Sequence, residues 1–333
     1  MANQTRVLVT GAGGFIGSHL VTFLRSKGYW VRGVDLKYPE FSNSDANEFE
    51  ILDLREPANC LKATSDVHHV YSLAADMGGM GFISSHHAQI LYNNSLINLH
   101  TIEASRQNGV ARYLFTSSAC VYPEHLQTET EVRPLREDDA YPADPQDAYG
   151  WEKLISERLC THYREDYSLD TRIVRFHNIF GEKGTWEGGR EKVPAALCRK
   201  IAAAKLNGQS EIEIWGDGEQ TRSFCHVDDC VEGLYRLMNS HFVGPLNLGQ
   251  DRMLSINELA DMIAGIAGVS IVKHYVAGPQ GVRGRNSDNS RLREVLGWEP
   301  KITLEQGLER TYRWIESQVA ASMSARQAGA SAQ

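Results

Sequence analysis

"RVLVTGAGGFIGSHLVTFLRSKGYWVRGVDL", Arg6 to Leu36, decides the fold. An apolar run is followed by a glycine turn, a helical pattern and a second apolar run. Strands buried on both faces read as continuous apolar stretches, and a helix linking two of them makes one βαβ unit. Further strands are predicted at Phe49–Leu52, His69–Leu73, Tyr113–Thr116 and Thr171–Arg175. Helical patterns at Ile90–Gln107 and Tyr149–Tyr167 lie between them. This alternation predicts an α/β protein with a Rossmann-type doubly wound parallel sheet.

After Phe176 the pattern changes to loops rich in glycine and charge, then a helix near Pro194–Ala204. "FCHVDDCVEGLYRLM" reads as a strand end, an Asp cap and a helix, and "PLNLG" as a strand returning to the sheet. The expected organisation is a dinucleotide-binding domain over 1–176 with a return segment at about 224–250. A smaller, discontinuous α/β substrate domain is expected over 177–223 and 251–317, folded over the sheet's carboxyl edge. The small, polar tail 318–333 is expected to be disordered.

A length of 333 residues with 42% hydrophobic and 23% charged residues suits a soluble globular protein and excludes a disordered or fibrous class. A net charge of −8 argues against a nucleic-acid footprint, so any anion site must be local. No apolar run has membrane length, and the N-terminal residues lead into a strand instead of a signal peptide. Six cysteines without CxxC spacing or a histidine cluster predict free thiols in a reducing cytoplasm and no metal site.

Gly11, Gly14 and Gly17, with Phe15 and Ile16 between them, form a glycine loop between strand and helix. Glycine there permits a tight turn and lets the backbone approach a pyrophosphate, which the helix N-terminus then stabilises. Asp35 closes the second strand, where a carboxylate holds ribose hydroxyls and repels a 2′-phosphate. NAD is therefore favoured over NADP, against which stand the nearby cations Arg32 and Lys37. Asp53 is expected near the adenine edge, with a helix cap as its alternative role. "LAAD", Leu73–Asp76, is a strand end small enough to pass close to a dinucleotide.

Tyr149 and Lys153 lie four residues apart and so share a helix face. A phenol is a poor base at neutral pH, and a neighbouring ammonium favours its phenolate. With the glycine loop upstream and Ser117–Ser118 ending a strand between them, the pair marks a hydride-transfer site. Here the chain resembles the extended short-chain dehydrogenase/reductase family, whose members act mainly on nucleotide-sugars. The resemblance implies that Tyr149 is the base, Lys153 tunes it and Ser118 holds the sugar oxygen.

Cys120, two residues beyond Ser118, stands on the loop bordering the sugar pocket. The loop "SSAC" lacks the acidic residues of the family's dehydratases. Oxidising a sugar's C4 to a ketone acidifies the C3 and C5 protons, which a thiolate can remove. Inversion then needs an acid on the opposite face, and Lys192 precedes a pocket-lining helix.

The motifs "LAADMGGMGFI", "SSACVYPE", "DAYGWEKL", "RFHNIFGEKGTWEGGREKVPAA", "WGDGEQTRSF" and "GVRGRNSDN" are together similar to the 3,5-epimerase branch of the family, which acts on GDP-mannose. The similarity runs from about Arg6 to Ile315. It implies that Cys120 and Lys192 are the acid–base pair and that Met77 and Gly78 touch the sugar. By the same resemblance Asn178, Lys200, Arg222 and Arg283 hold the GDP portion, and a homodimer is expected. The concentration of Arg190, Lys192, Lys200, Arg222, Arg283 and Arg285 in the loop-rich half independently suits a diphosphate. Two rival functions are a fucose-synthase type of reductase, which pairs its cysteine with histidine and uses NADPH, and a non-catalytic dinucleotide sensor.

Overall fold

A computed structural model describes residues 4–279 and 281–330. Its centre is a seven-stranded sheet in which every pairing is parallel. Six strands come in chain order: β1 Arg6–Thr10, β2 Trp30–Asp35, β3 Glu48–Ile51, β4 His69–Ser72, β5 Arg112–Ser118 and β6 Asp170–Phe176. The seventh, Pro245–Leu248, adds beside β6, so the spatial order is Pro245–Leu248, β6, β5, β4, β1, β2, β3.

Alternation along the strands builds two cores. Val7 and Val9 join Leu20, Leu24, Val231 and Leu234 on one face of the sheet. Leu8 joins Val70, Ile102, Tyr113 and Phe115 on the other. Helices cover both faces, which explains why these strands are apolar throughout. A third core, separate from the sheet, gathers Leu197, Ile201, Ile212, Leu259, Ile263, Leu308 and Ile315. It is made by helices Val193–Leu206, Ile256–Ala267 and Leu304–Ala330 with the paired strands Glu211–Trp215 and Val272–Val276.

Two expectations are corrected. The tail does not become disordered at residue 318: the last helix runs from Leu304 to Ala330. Ile315, Val319 and Met323 continue its apolar stripe at i, i+4, i+8 against the third core, so the helix has a reason to persist. Residues 331–333 of that expected tail lie outside the described residues. The helix Val227–Met238 is capped by His226, whose side chain accepts from the Asp228 N–H, and not by an aspartate. Asp229 lies within the helix and accepts from the Lys301 and Ile302 N–H groups, tying the return segment to a distant loop. Among the described residues no helix is long and apolar enough to cross a membrane.

The helix Ala148–Tyr167 matters most for the site. Asp147 caps it by accepting from the Gly150 N–H at 2.8 Å. It buries Tyr149, Lys153, Ser156, Glu157 and Cys160, the i, i+4, i+7, i+8, i+11 stripe of one face. Glu157 on that stripe takes a two-point ion pair from buried Arg175 of β6 and a hydrogen bond from Ser117 of β5. This pair fastens the helix to the two strands whose carboxyl ends carry the chemistry-bearing loops.

Candidate active site

The glycine loop leaves β1 under tight constraint. Gly11 has φ +71°, in the left-handed region. A Cβ at Gly13 would sit 2.0 Å from the Lys37 carbonyl oxygen, and one at Gly17 would sit 2.0 Å from that of Gly11. The helix Phe15–Ser26 then begins at Gly14 with no side-chain cap, so no cap side chain competes with an anion for its first-turn N–H groups. Asp35 ends β2 and receives the Gly13 N–H at 2.9 Å and the Leu36 N–H at 2.6 Å. Gly13 is the contact that the G-x-x-G-x-x-G spacing alone did not single out. The adjoining cleft is lined by Gly13, Gly14, Phe15, Ser18, Lys37 and Lys183.

Arg32 points away from this cleft. It is buried, paired with Glu48 and donating to the carbonyls of Ala63 and Ser65, so it is spent inside the fold. Lys37 pairs with Glu40 at the surface. Asp53 is neither a helix cap nor unpaired: Arg55 grips its carboxylate and holds its pKa below the ordinary value.

The second half of the site lies at the carboxyl ends of β4 and β5. Met77, Cys120 and Tyr149 pack around Phe82, Ile83 and Ile90. The Ser118 side chain accepts from the Cys120 N–H at 3.1 Å and starts the turn that presents the thiol. Burial pushes the Tyr149 phenol well above its ordinary pKa, Glu152 and Cys120 add to the rise, and a hydrogen bond with Ser118 opposes it. The Lys153 ammonium lies 5.5 Å from the centroid of the Tyr149 ring. A Cβ at Gly150 would sit 2.2 Å from the Cys120 carbonyl oxygen, so the glycine after Tyr149 is what lets thiol loop and helix meet.

Arg285 donates to the Cys120 sulfur at 3.4 Å and also bonds Gln127. Lys192, the N-cap residue of Val193–Leu206, interacts electrostatically with Cys120. The residue is exposed overall, yet desolvation of its ammonium lowers the pKa, an effect Cys120 and Cys230 oppose. Arg222 is close enough to feel both Arg285 and Cys120, and its side chain donates to the carbonyls of Thr221 and Val282.

The remaining expected ligands are engaged elsewhere. Arg283 forms a two-point pair with Asp217 at 2.7 Å, and Lys200 donates to the Glu213 carbonyl. Asn178, at φ +48°, donates to the Ser223 carbonyl and joins two segments of chain. Gly78 backs onto the Phe82 side chain. Arg190 straps the wall around Met77: it pairs with Asp76, donates to the Met77 carbonyl and lies 3.8 Å over the Phe82 ring. Sequence reasoning thus missed the position of Arg285 and the strap made by Arg190. The glycine between Arg283 and Arg285 was the available signal, since a Cβ there would lie 2.3 Å from the Glu129 carbonyl.

Comparison with known proteins agrees with this fold. Residues 7–249 match the model of the NAD dependent epimerase/dehydratase family. The chain is 51% identical to GDP-mannose 3,5-epimerase 1 of Oryza sativa subsp. indica over 96% of this chain and 83% of that one. It is 51% identical to the GDP-mannose 3,5-epimerase of Arabidopsis thaliana over 96% of this chain and 84% of that one. Among solved structures it is similar to a UDP-glucose 4-epimerase from Thermotoga maritima, crystallised with UDP-glucose. The TM-score is 0.85 at 26% identity, over 95% of this chain and 100% of that one.

Gly150 gives a test of the contact between thiol loop and helix. Replacing a helical glycine by alanine ordinarily stabilises by up to about 1 kcal/mol. Here overlap with the Cys120 carbonyl should outweigh that gain, and Gly150→Ala should lose about 1–3 kcal/mol in denaturant unfolding. Cys120, the one cysteine among the described residues that is not buried, should also react faster with a maleimide. A more stable variant with unchanged labelling would contradict the contact.

Proposed function

The chain belongs to the NAD dependent epimerase/dehydratase family, and on that premise we propose that it inverts C3 and C5 of GDP-mannose through a transient C4 ketone. The product is GDP-L-galactose, with GDP-L-gulose where C5 alone is inverted. The observation that carries the proposal is the hydrogen bond from Arg285 to the Cys120 sulfur, in the same cleft as Ser118 and Tyr149. A simple 4-epimerase needs no thiol held by a cation beside its phenol.

The cofactor is NAD, which when bound accepts a hydride from C4 and returns it. Gly11, Gly13, Gly14 and Gly17 form a cradle whose close packing excludes side chains, which fits a pyrophosphate. Asp35 would hold the ribose hydroxyls, and Phe15 and Ile16 would present the helix N-terminus. Spent inside the fold, Arg32 offers nothing to a 2′-phosphate, which supports NAD over NADP.

Ser118 holds the C4 oxygen while Tyr149 takes the hydroxyl proton and later gives it back. Lys153 stabilises the phenolate that takes the proton and that is restored when the proton is returned. The ketone acidifies the neighbouring C–H groups, so Cys120 removes a proton from one face of the sugar. Lys192 supplies one from the other, and burial makes its ammonium readier to give up a proton. Arg285, Arg222 and Lys192 all bear on Cys120, and negative charge developing on the sulfur is stabilised by them. Met77 and Gly78 form the sugar wall. Arg222 belongs to the diphosphate end with Asn178, Lys200 and Arg283, which must exchange their present partners to bind. The six free cysteines support a reducing, cytoplasmic setting.

We further propose a homodimer joined through helices His87–Gln107 and Ala148–Tyr167. Their outer faces expose Tyr92 (67%), Leu99 (46%), Trp151 (41%) and Ile155 (61%), large apolar side chains that a second copy would cover. A charge at the centre of such a face should split the dimer, so Ile155→Glu should elute as a monomer by light scattering. A wild type that is already monomeric at micromolar concentration would contradict it.

Incubation with GDP-mannose and no added cofactor tests the activity, with the products identified by NMR. GDP-L-galactose should form, and Cys120→Ala or Lys192→Ala should each lower its rate by at least about 10²-fold. A requirement for added NADPH, or inversion at C4 alone, would overturn the proposal.

A further inference from the structure

One carboxylate beside the hydride-transfer pair has no place in the mechanism above. Glu152 lies between Tyr149 and Lys153 in sequence and is 1% exposed, while Lys153 is 2% exposed. Its Oε1 stands 3.6 Å from the Lys153 ammonium. Helix His87–Gln107 holds the two oxygens from the other side: Asn94 donates to Oε1 and Asn98 to Oε2, each at 3.0 Å. Both asparagines are buried and themselves fixed. Asn94 accepts from the Asp76 N–H at 2.6 Å, and Asn98 donates to Ser156. Burying a carboxylate costs several kcal/mol unless it is paired and hydrogen-bonded, so a fully supported one on the helix face that carries the chemistry calls for an explanation.

We propose that Glu152 is the positioning residue of the Tyr149–Lys153 pair, anchoring the ammonium and countering part of its charge so that Tyr149 can both take and return a proton. The proposal rests on the function proposed above, in which oxidation and reduction at C4 alternate in every turnover. A buried ammonium with no counter-charge would favour the phenolate so strongly that it became too weak a base to take the proton. A carboxylate at a fixed distance offsets part of that pull and keeps Tyr149 basic enough to take the proton. Burial is the largest influence raising the phenol's pKa and Glu152 the next. The other groups facing Tyr149 are Cys120 and Ser118 from the loop after β5, with Asp147 and Lys153 on its own helix. Cys120 in turn faces Arg285 and Lys192, and Glu152 faces only neutral asparagines from helix His87–Gln107.

The test compares wild type, Glu152→Gln and Glu152→Asp as whole, cofactor-loaded proteins. Glutamine keeps the shape and removes the charge, so the phenolate should form at lower pH. The acid limb of kcat for GDP-mannose should move down by about one pH unit, with KM little changed. Aspartate withdraws the carboxylate without neutralising it and should move the limb less, in the same direction. That variant decides the matter if the glutamine protein does not fold. A merely structural glutamate would lower kcat equally at every pH and leave the limb in place in both variants, which would overturn the proposal. The phenolate absorbance of sugar-free protein, with Tyr149→Phe as the blank, should show the same displacement. Because this readout needs no sugar, it separates the two failures: a wild type inert toward GDP-mannose sinks the proposed substrate, and an unmoved phenolate titration sinks the role of Glu152.

Discussion

The carbonyl of Cys120 rests on Gly150, and the rest of the site depends on that contact. It joins the loop leaving β5 to the first turn of the helix that carries Tyr149 and Lys153. A side chain there would force the two apart, and the thiol and phenol would no longer share one wall of the cleft. The Ser117–Glu157–Arg175 network, two turns further along the same helix, holds this arrangement against the sheet. Breaking such a buried pair from one side costs about 3–5 kcal/mol, so the helix has little freedom to slide.

Charge is distributed by task. The protein is acidic overall, yet Arg285, Arg222 and Lys192 gather around one sulfur, and Lys153 stands beside one phenol. Cations that serve structure are matched by carboxylates, as Arg175 is by Glu157 and Arg32 by Glu48. Near Cys120, Arg222 donates to carbonyls, and Arg285 donates to Gln127 and to the thiol itself.

Much of this was legible in the sequence because it is local. Strand and helix periodicity, the glycine loop, Asp35 and the four-residue step from Tyr149 to Lys153 each lie within one element. What was not legible depends on partners far along the chain. Arg285 meets Gln127 and Cys120 across more than 150 residues, whereas Arg283 meets Asp217, and within "GVRGR" only the glycine between them hints at the close packing there. Glu152 was nearer to hand, since Tyr149, Glu152, Lys153 and Ser156 follow a buried helical stripe on which a carboxylate is out of place. The tail misled for the opposite reason. Its small residues resemble a linker, but alanine favours helix and the apolar step from Ile315 to Val319 and Met323 continues unbroken.

The central claim is that two chemistries meet in one cleft: hydride transfer at C4, beside Tyr149, and proton transfer at C3 and C5, by Cys120 and Lys192. The most direct measurement is to run the reaction on GDP-mannose in D₂O and locate deuterium in the product by NMR. A C–H that passes through a solvent-exchanging thiol or ammonium acquires deuterium, whereas one carried as hydride never meets water. The account predicts deuterium at C3 and C5 and none at C4. Deuterium at C4, or a product inverted at C5 but unlabelled there, would contradict it.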